Sequence, residues 1–182
     1  MSEVADRYRR LSAAFTDTVA AVPPDRWDAP SPCAGWDARD VLRHVVESHG
    51  QFLGLVGRSL PELPSVDEDP LAAWSGAREA VQSCLDDPAL AGTEYQGKFG
   101  RSTFEQAVDG FLSFDQVVHR WDLARAAGLD ERIDPEEIAR ITAFANRMGD
   151  VLQNSGACGP AIEPPEGADD QTRLLMALGR RP

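Results

Sequence analysis

The chain has 182 residues, 42% hydrophobic and 26% charged, a balance that argues against wholesale disorder and fits a single domain over residues 1–182. Against 18 basic residues stand 30 acidic ones, for a net charge of −12. That sign disfavours nucleic acid and anionic membrane surfaces as partners, because both demand neutralisation of phosphates.

The first 22 residues carry Val4, Tyr8, Leu11, Phe15, Val19 and Val22 at spacings of three and four, which predicts an amphipathic helix stopped by Pro23-Pro24. Residues 25–36 hold Trp27, Pro30, Pro32 and Gly35 and read as irregular linker. A second helix is expected from Asp37, as N-cap with Asp40 in the first turn, to about Gly57. After a Pro-rich loop, Leu71, Trp74, Ala77, Val81 and Leu85 predict a third helix. Residues 86–101 read as irregular or as a short hairpin, and Tyr95 to Phe99 as a candidate flap. Ser102-Thr103-Phe104-Glu105 reads as a capping box that launches a fourth helix, stopped by Gly128. A fifth is expected from Asp134-Pro135 to near Asn154, and a short last one over residues 169–178. Four long helices and one extra predict an all-α four-helix bundle, with sites built from inward-facing side chains.

No apolar run reaches the roughly 18 residues of a transmembrane helix. The polar, acidic start of the chain does not read as a signal peptide. Cys33, Cys84 and Cys158 are odd in number and far apart, so neither a disulfide framework nor a Cys-x-x-Cys metal pair is expected, and a reducing cytoplasm is the expected compartment.

The chemistry rests on three histidines, His44, His49 and His119. Asp115 and His119 are four apart on the fourth helix and share a face one turn apart. With His44 from the second helix they would form a two-imidazole, one-carboxylate set with positions left open, the pattern of a catalytic metal site. Two plainer readings compete: a wet i,i+4 ion pair for Asp115 and His119, and a core histidine for His44. Phe111, Phe114, Val118 and Trp121 weigh against full solvation of that face. His49 lies about 140° around the helix from His44 and is left out. Asp40 reads as a first-turn acid. Asp122 reads either as a group orienting His119 or as a surface partner of Arg125, and Glu47 has the same ambiguity beside His44. Cys33 is read chiefly as small apolar filler, with a reactive thiol as the alternative. The four tryptophans are expected in the core, one or two of them lining a pocket. No nucleophile elbow, phosphate loop or dinucleotide fingerprint is present.

Residues 31–44, Ser-Pro-Cys-Ala-Gly-Trp-Asp-Ala-Arg-Asp-Val-Leu-Arg-His, resemble the opening of the second helix in the mycothiol-dependent maleylpyruvate isomerase N-terminal family of the DinB/YfiT-like metalloproteins. Residues 118–128, Val-His-Arg-Trp-Asp-Leu-Ala-Arg-Ala-Ala-Gly, are similar to its second metal-helix motif. Residues 173–182 resemble the terminus of a single-domain actinobacterial metal-binding branch. The resemblance implies one divalent metal, zinc or nickel, held by His44, Asp115 and His119, with homodimers common among relatives. The isomerase has Glu where this chain has Asp115, and it carries a further C-terminal domain that 182 residues leave no room for, so isomerisation itself is not expected. The leading expectation is a metal-dependent S-transferase joining mycothiol, or a similar small thiol, to a small electrophile. The alternatives are a metal-dependent hydrolase, with Asp122 or Glu47 as base, and a non-catalytic metal- or ligand-binding module.

Overall fold

In the computed structural model, which describes residues 2–97, 100–149, 151–152 and 158–182, helix α1 spans Glu3–Ala21 and opens on Ser2, whose side chain accepts from the Ala5 amide. Helix α2, Ala38–Gly54, opens on a reciprocal capping box: the Asp37 carboxylate accepts from the Asp40 amide at 2.8 Å, and the Asp40 carboxylate from the Asp37 amide at 3.2 Å. Helix α3 spans Pro70–Asp86, and the short α4 spans Pro88–Ala91. Strands β1, Glu94–Gly97, and β2, Gly100–Thr103, pair antiparallel with Glu94 opposite Thr103, which realises the hairpin reading of that stretch. Of the candidate flap, Phe99 lies outside the described residues.

The helix expected from the Ser102–Glu105 box starts one residue later. The cap is Thr103, whose hydroxyl accepts from the Gln106 amide at 3.3 Å while the Gln106 side chain accepts from the Thr103 amide at 3.2 Å. Ser102 is held in β2 opposite Tyr95. Thr103, last in the strand and still extended, is the residue with the backbone an N-cap needs. Helix α5, Phe104–Ala107, runs through a π-helical segment, Val108–Leu112, into α6, Ser113–Ala127. The π turn is braced from α1. The nearly buried Arg7 guanidinium donates to the Asp109 carbonyl at 2.9 Å and to its carboxylate at 2.6 Å. Gly128, at φ +72°, ends α6.

Contacts group the chain into two compact units, Met1–Asp130 and Glu131–Pro182. In the first, α1 packs on α3 and α6, and α2 packs on α3 and α6, so four helices close a ring. One core cluster joins Phe15, Leu42, Val45, Trp74 and Leu123, and a second joins Tyr8, Leu53, Val81, Phe104 and Leu112. Each such side chain contributes about 1.5–3 kcal/mol by leaving water. Trp74 packs against Phe15 with ring centroids 4.6 Å apart and planes tilted by 47°, and its indole N–H donates to Thr16 at 2.8 Å. Helix α6 buries residues on all its faces, from Phe114 and Val117 to Gln116, His119 and Asp122. Polar groups on it must therefore find partners inside the protein.

In the second unit, α7 spans Pro135–Met148 and α8 spans Asp170–Ala177, and the two pack on each other. Helix α7 ends at Gly149, φ +52°; the expected end near Asn154 lies outside the described residues. The Gln171 side chain accepts from the Ile133 amide at 2.8 Å and donates to the Glu131 carbonyl at 3.2 Å, tying α8 to the segment before α7. The fold is all-α with one small hairpin, the class expected of a DinB-like protein. Among the described residues no helix is long and apolar enough to cross a membrane.

Candidate metal centre

His44 stands two turns into α2, and the capping box fixes the helix phase that aims it inward. Asp115 and His119 stand one turn apart on α6. The three side chains meet: Asp115 Oδ1 lies 3.3 Å from His44 Nε2 and 3.2 Å from His119 Nε2, and the two imidazoles meet edge-on with centroids 4.8 Å apart. One ligand atom from each of the three falls within 4.8 Å of the others, a separation that one ion could span. The second carboxylate oxygen, Asp115 Oδ2, is buried and has no hydrogen-bond partner among the described residues. A buried, unpartnered carboxylate oxygen is costly, and a cation beside it removes that cost. The residues present therefore fit a divalent metal.

The approach is from the His44 side. Its side chain is 35% exposed, against 7% for His119. Half-buried Trp36 covers both rings, with its indole 5.0 Å from His44 and 6.0 Å from His119. It is the tryptophan that lines the site. Ser48, one turn after His44, places its hydroxyl 3.4 Å from His44 Nε2. Sequence reasoning missed Ser48, although its i+4 spacing from His44 was a usable signal.

Behind His119 lies a second cluster. Asp122 is fully buried, and its Oδ2 lies 2.9 Å from His119 Nδ1. The Cys33 thiol donates to the same oxygen at 3.3 Å and sits 4.0 Å from His119 Nδ1. Cys33 thus packs against the core cluster, as a small filler would, while its sulfur meets Asp122 and His119. Its position comes from a tight turn in which the Trp36 amide donates to the Cys33 carbonyl at 3.0 Å and Gly35 takes φ +80°. A side chain there would be strained, so glycine is required. Glu47 is exposed on α2 and belongs to neither cluster. Asp40 keeps to its cap and to an ion pair with Arg43. His49 is buried against Tyr8 and Trp74, with Nδ1 2.7 Å from the Val45 carbonyl, and burial pushes its pKa down to about 4.

The electrostatics follow from this packing. Burial alone would raise the Asp115 carboxyl. The charge of His119 and hydrogen bonds from both imidazoles outweigh it and hold the group well below the carboxylate range. Burial alone would lower His119. Asp115, together with hydrogen bonds to Asp115, Asp122 and Cys33, raises it well above its ordinary value. Without a metal, His119 is an imidazolium set between two carboxylates.

A family model described as the mycothiol maleylpyruvate isomerase N-terminal domain matches residues 8–124, a span that contains every residue of both clusters. Two uncharacterised proteins of Mycobacterium tuberculosis, from strains CDC 1551 / Oshkosh and ATCC 25618 / H37Rv, are each 27% identical to the chain over 175 residues. Each match covers 95% of this chain and 95% of the relative. No solved structure matches. With more than half its length matched, the chain belongs to the mycothiol maleylpyruvate isomerase N-terminal domain family.

Proposed function

We propose that this protein is a divalent-metal-dependent S-transferase that joins a small thiol of the mycothiol type to a small electrophile, with His44, Asp115 and His119 as metal ligands. The observation that carries the reading is the convergence of two imidazoles on one carboxylate whose other oxygen is buried and, among the described residues, unpartnered. Zinc or nickel suits an N,N,O donor set with open positions. When bound, the metal favours the thiolate of a coordinating thiol and so supplies a nucleophile at neutral pH. The protein's own groups hold and orient. Asp122 fixes His119 with its Nδ1–H inward, which leaves Nε2 free to ligate. Trp36 walls one side and restricts water. Asp115, one carbon shorter than the Glu the resemblance implies at that position, would hold a metal close to α6. The cytoplasm, where small thiols stay reduced, is the compartment this reading requires.

Hydrolysis has less support. Its base would have to be Asp122, which is engaged by His119 and Cys33, or Glu47, which is exposed outside the cluster. A non-catalytic metal-binding module would share the ligands and lack turnover. The test is metal content by mass spectrometry on untagged protein beside His119→Ala, followed by electrophile consumption with and without mycothiol. About one zinc or nickel per chain, lost in the variant, with thiol-dependent turnover, is the expected result. A wild type that ignores added zinc and nickel would defeat the metal reading. Metal without thiol-dependent turnover would leave a binding module.

A further inference from the structure

We infer that Cys33, His119 and Asp122 form a second cation position, selective for soft thiophilic metals, that competes with the first for His119. The Cys33 thiol, the His119 Nδ1 and an Asp122 carboxylate oxygen lie within 4.8 Å of one another. Their separations are 3.3 Å between sulfur and oxygen, 4.0 Å between sulfur and nitrogen, and 2.9 Å between nitrogen and oxygen. A tetrahedral ion bound at ordinary zinc distances needs its ligand atoms roughly 3.4–3.6 Å apart. Shifts of about half an ångström therefore convert the hydrogen-bonded cluster into a coordinating one. The donor set is thiolate, imidazole and carboxylate, and the thiolate biases it toward cadmium and zinc over hard cations.

Competition follows from the chemistry of one ring. A neutral imidazole has a single lone pair on nitrogen. With the proton on Nδ1, held by Asp122, Nε2 is the ligand and serves the His44–Asp115 side. With the proton on Nε2, Asp115 Oδ1 accepts it across 3.2 Å and Nδ1 becomes the ligand. Each tautomer finds a carboxylate, so His119 can turn its lone pair either way without losing a hydrogen bond. Entry of a soft ion at the second position of the metal-free protein forms the sulfur–metal bond, releases the Cys33 thiol proton and the His119 Nδ1 proton to solvent, and leaves the Nε2–H on Asp115. Starting from the protein loaded at Nε2, loss of the first ion lets the imidazole proton pass from Nδ1 to Nε2.

Cadmium alone is the probe, read by thiolate-to-cadmium charge-transfer absorption and by mass-spectrometric mapping of iodoacetamide labelling. Wild type and His44→Ala should both show the band, with Cys33 protected from alkylation. Cys33→Ser, with an unchanged far-ultraviolet circular dichroism spectrum, should lose it. A band that survives Cys33→Ser, or is missing from His44→Ala, would overturn the position. Zinc-loaded wild type should gain the band only as zinc is released, and a band with all zinc retained would overturn the competition. If wild type holds no zinc at all while His44→Ala still binds cadmium through Cys33, the thiolate position stands although the proposed metal centre falls.

Discussion

His119 has two opposite demands on its nitrogens. In the metal-free protein it is protonated and faces two carboxylates; to bind a metal through Nε2 it must give up that proton. Metal and proton therefore compete. Zinc affinity, measured against a chromophoric chelator, should rise with pH from about 6.5 upward for as long as His119 remains protonated in the metal-free form, and a flat profile would show that no proton leaves the site. The stability of the metal-free form has the reverse sign on the histidine side. Because the His119 pKa is raised on folding, its contribution is complete below about pH 6.5 and lost as pH rises through the folded value. The Asp115 pKa is depressed, so its contribution is complete above about pH 4 and lost as pH falls through the folded value. The Asp115–His119 pairing was legible in the sequence from its spacing alone. The role of Asp122 was not: an acid three residues after a histidine is common on surfaces, and only the burial of α6 on every side separates the two cases.

At the scale of the element, the π turn at Val108–Leu112 sets the phase of α6, the helix that packs on α1 and α2. A π turn inserts one residue, so the faces before and after it are offset by about 100° relative to an unbroken helix. Phe104, before the turn, and Val108 and Leu112, at its two ends, reach one core cluster, while Asp115 and His119, after it, face His44. Arg7 holds this geometry from across the bundle, through a carbonyl and a carboxylate of the same residue. Arg7→Met keeps the side-chain length and removes the donors. It should cost about 1–3 kcal/mol in urea denaturation and weaken metal retention, and an unchanged unfolding midpoint would show that the brace is dispensable. The four-residue α4 fell in a stretch read as irregular or hairpin, whereas the existence of the longer helices and most caps could be read from periodicity, Pro, Gly and Asp positions. The π turn could not. Its stretch Val-Asp-Gly-Phe-Leu has ordinary helical composition apart from Gly110, and the brace comes from a residue 102 positions away.

For the whole molecule, every residue of both clusters, both core clusters of the helical ring and the glycine that ends α6 lie within Met1–Asp130. A chain ending at Asp130 also keeps Leu129, whose amide donates to the Ala124 carbonyl at 2.8 Å. Such a truncated chain should stay helical by circular dichroism and bind one zinc per chain. If it aggregates or loses the metal, residues 131–182 contribute to stability of the first unit. The charge of −12 belongs to this scale as well. It raises the local concentration of cations around the protein and disfavours anionic electrophiles, so neutral or cationic ones are the better substrates to screen.

The turn at Gly35 ties two of these stories together. Cys33 and Trp36 are its first and last residues and are joined by a backbone hydrogen bond. The thiol behind His119 and the indole in front of it therefore hang from one hydrogen-bonded backbone turn. A displacement of that turn large enough to admit a bulky molecule beside the indole would also draw the sulfur away from Asp122, coupling access at the front of the His119 ring to the contacts of its far nitrogen.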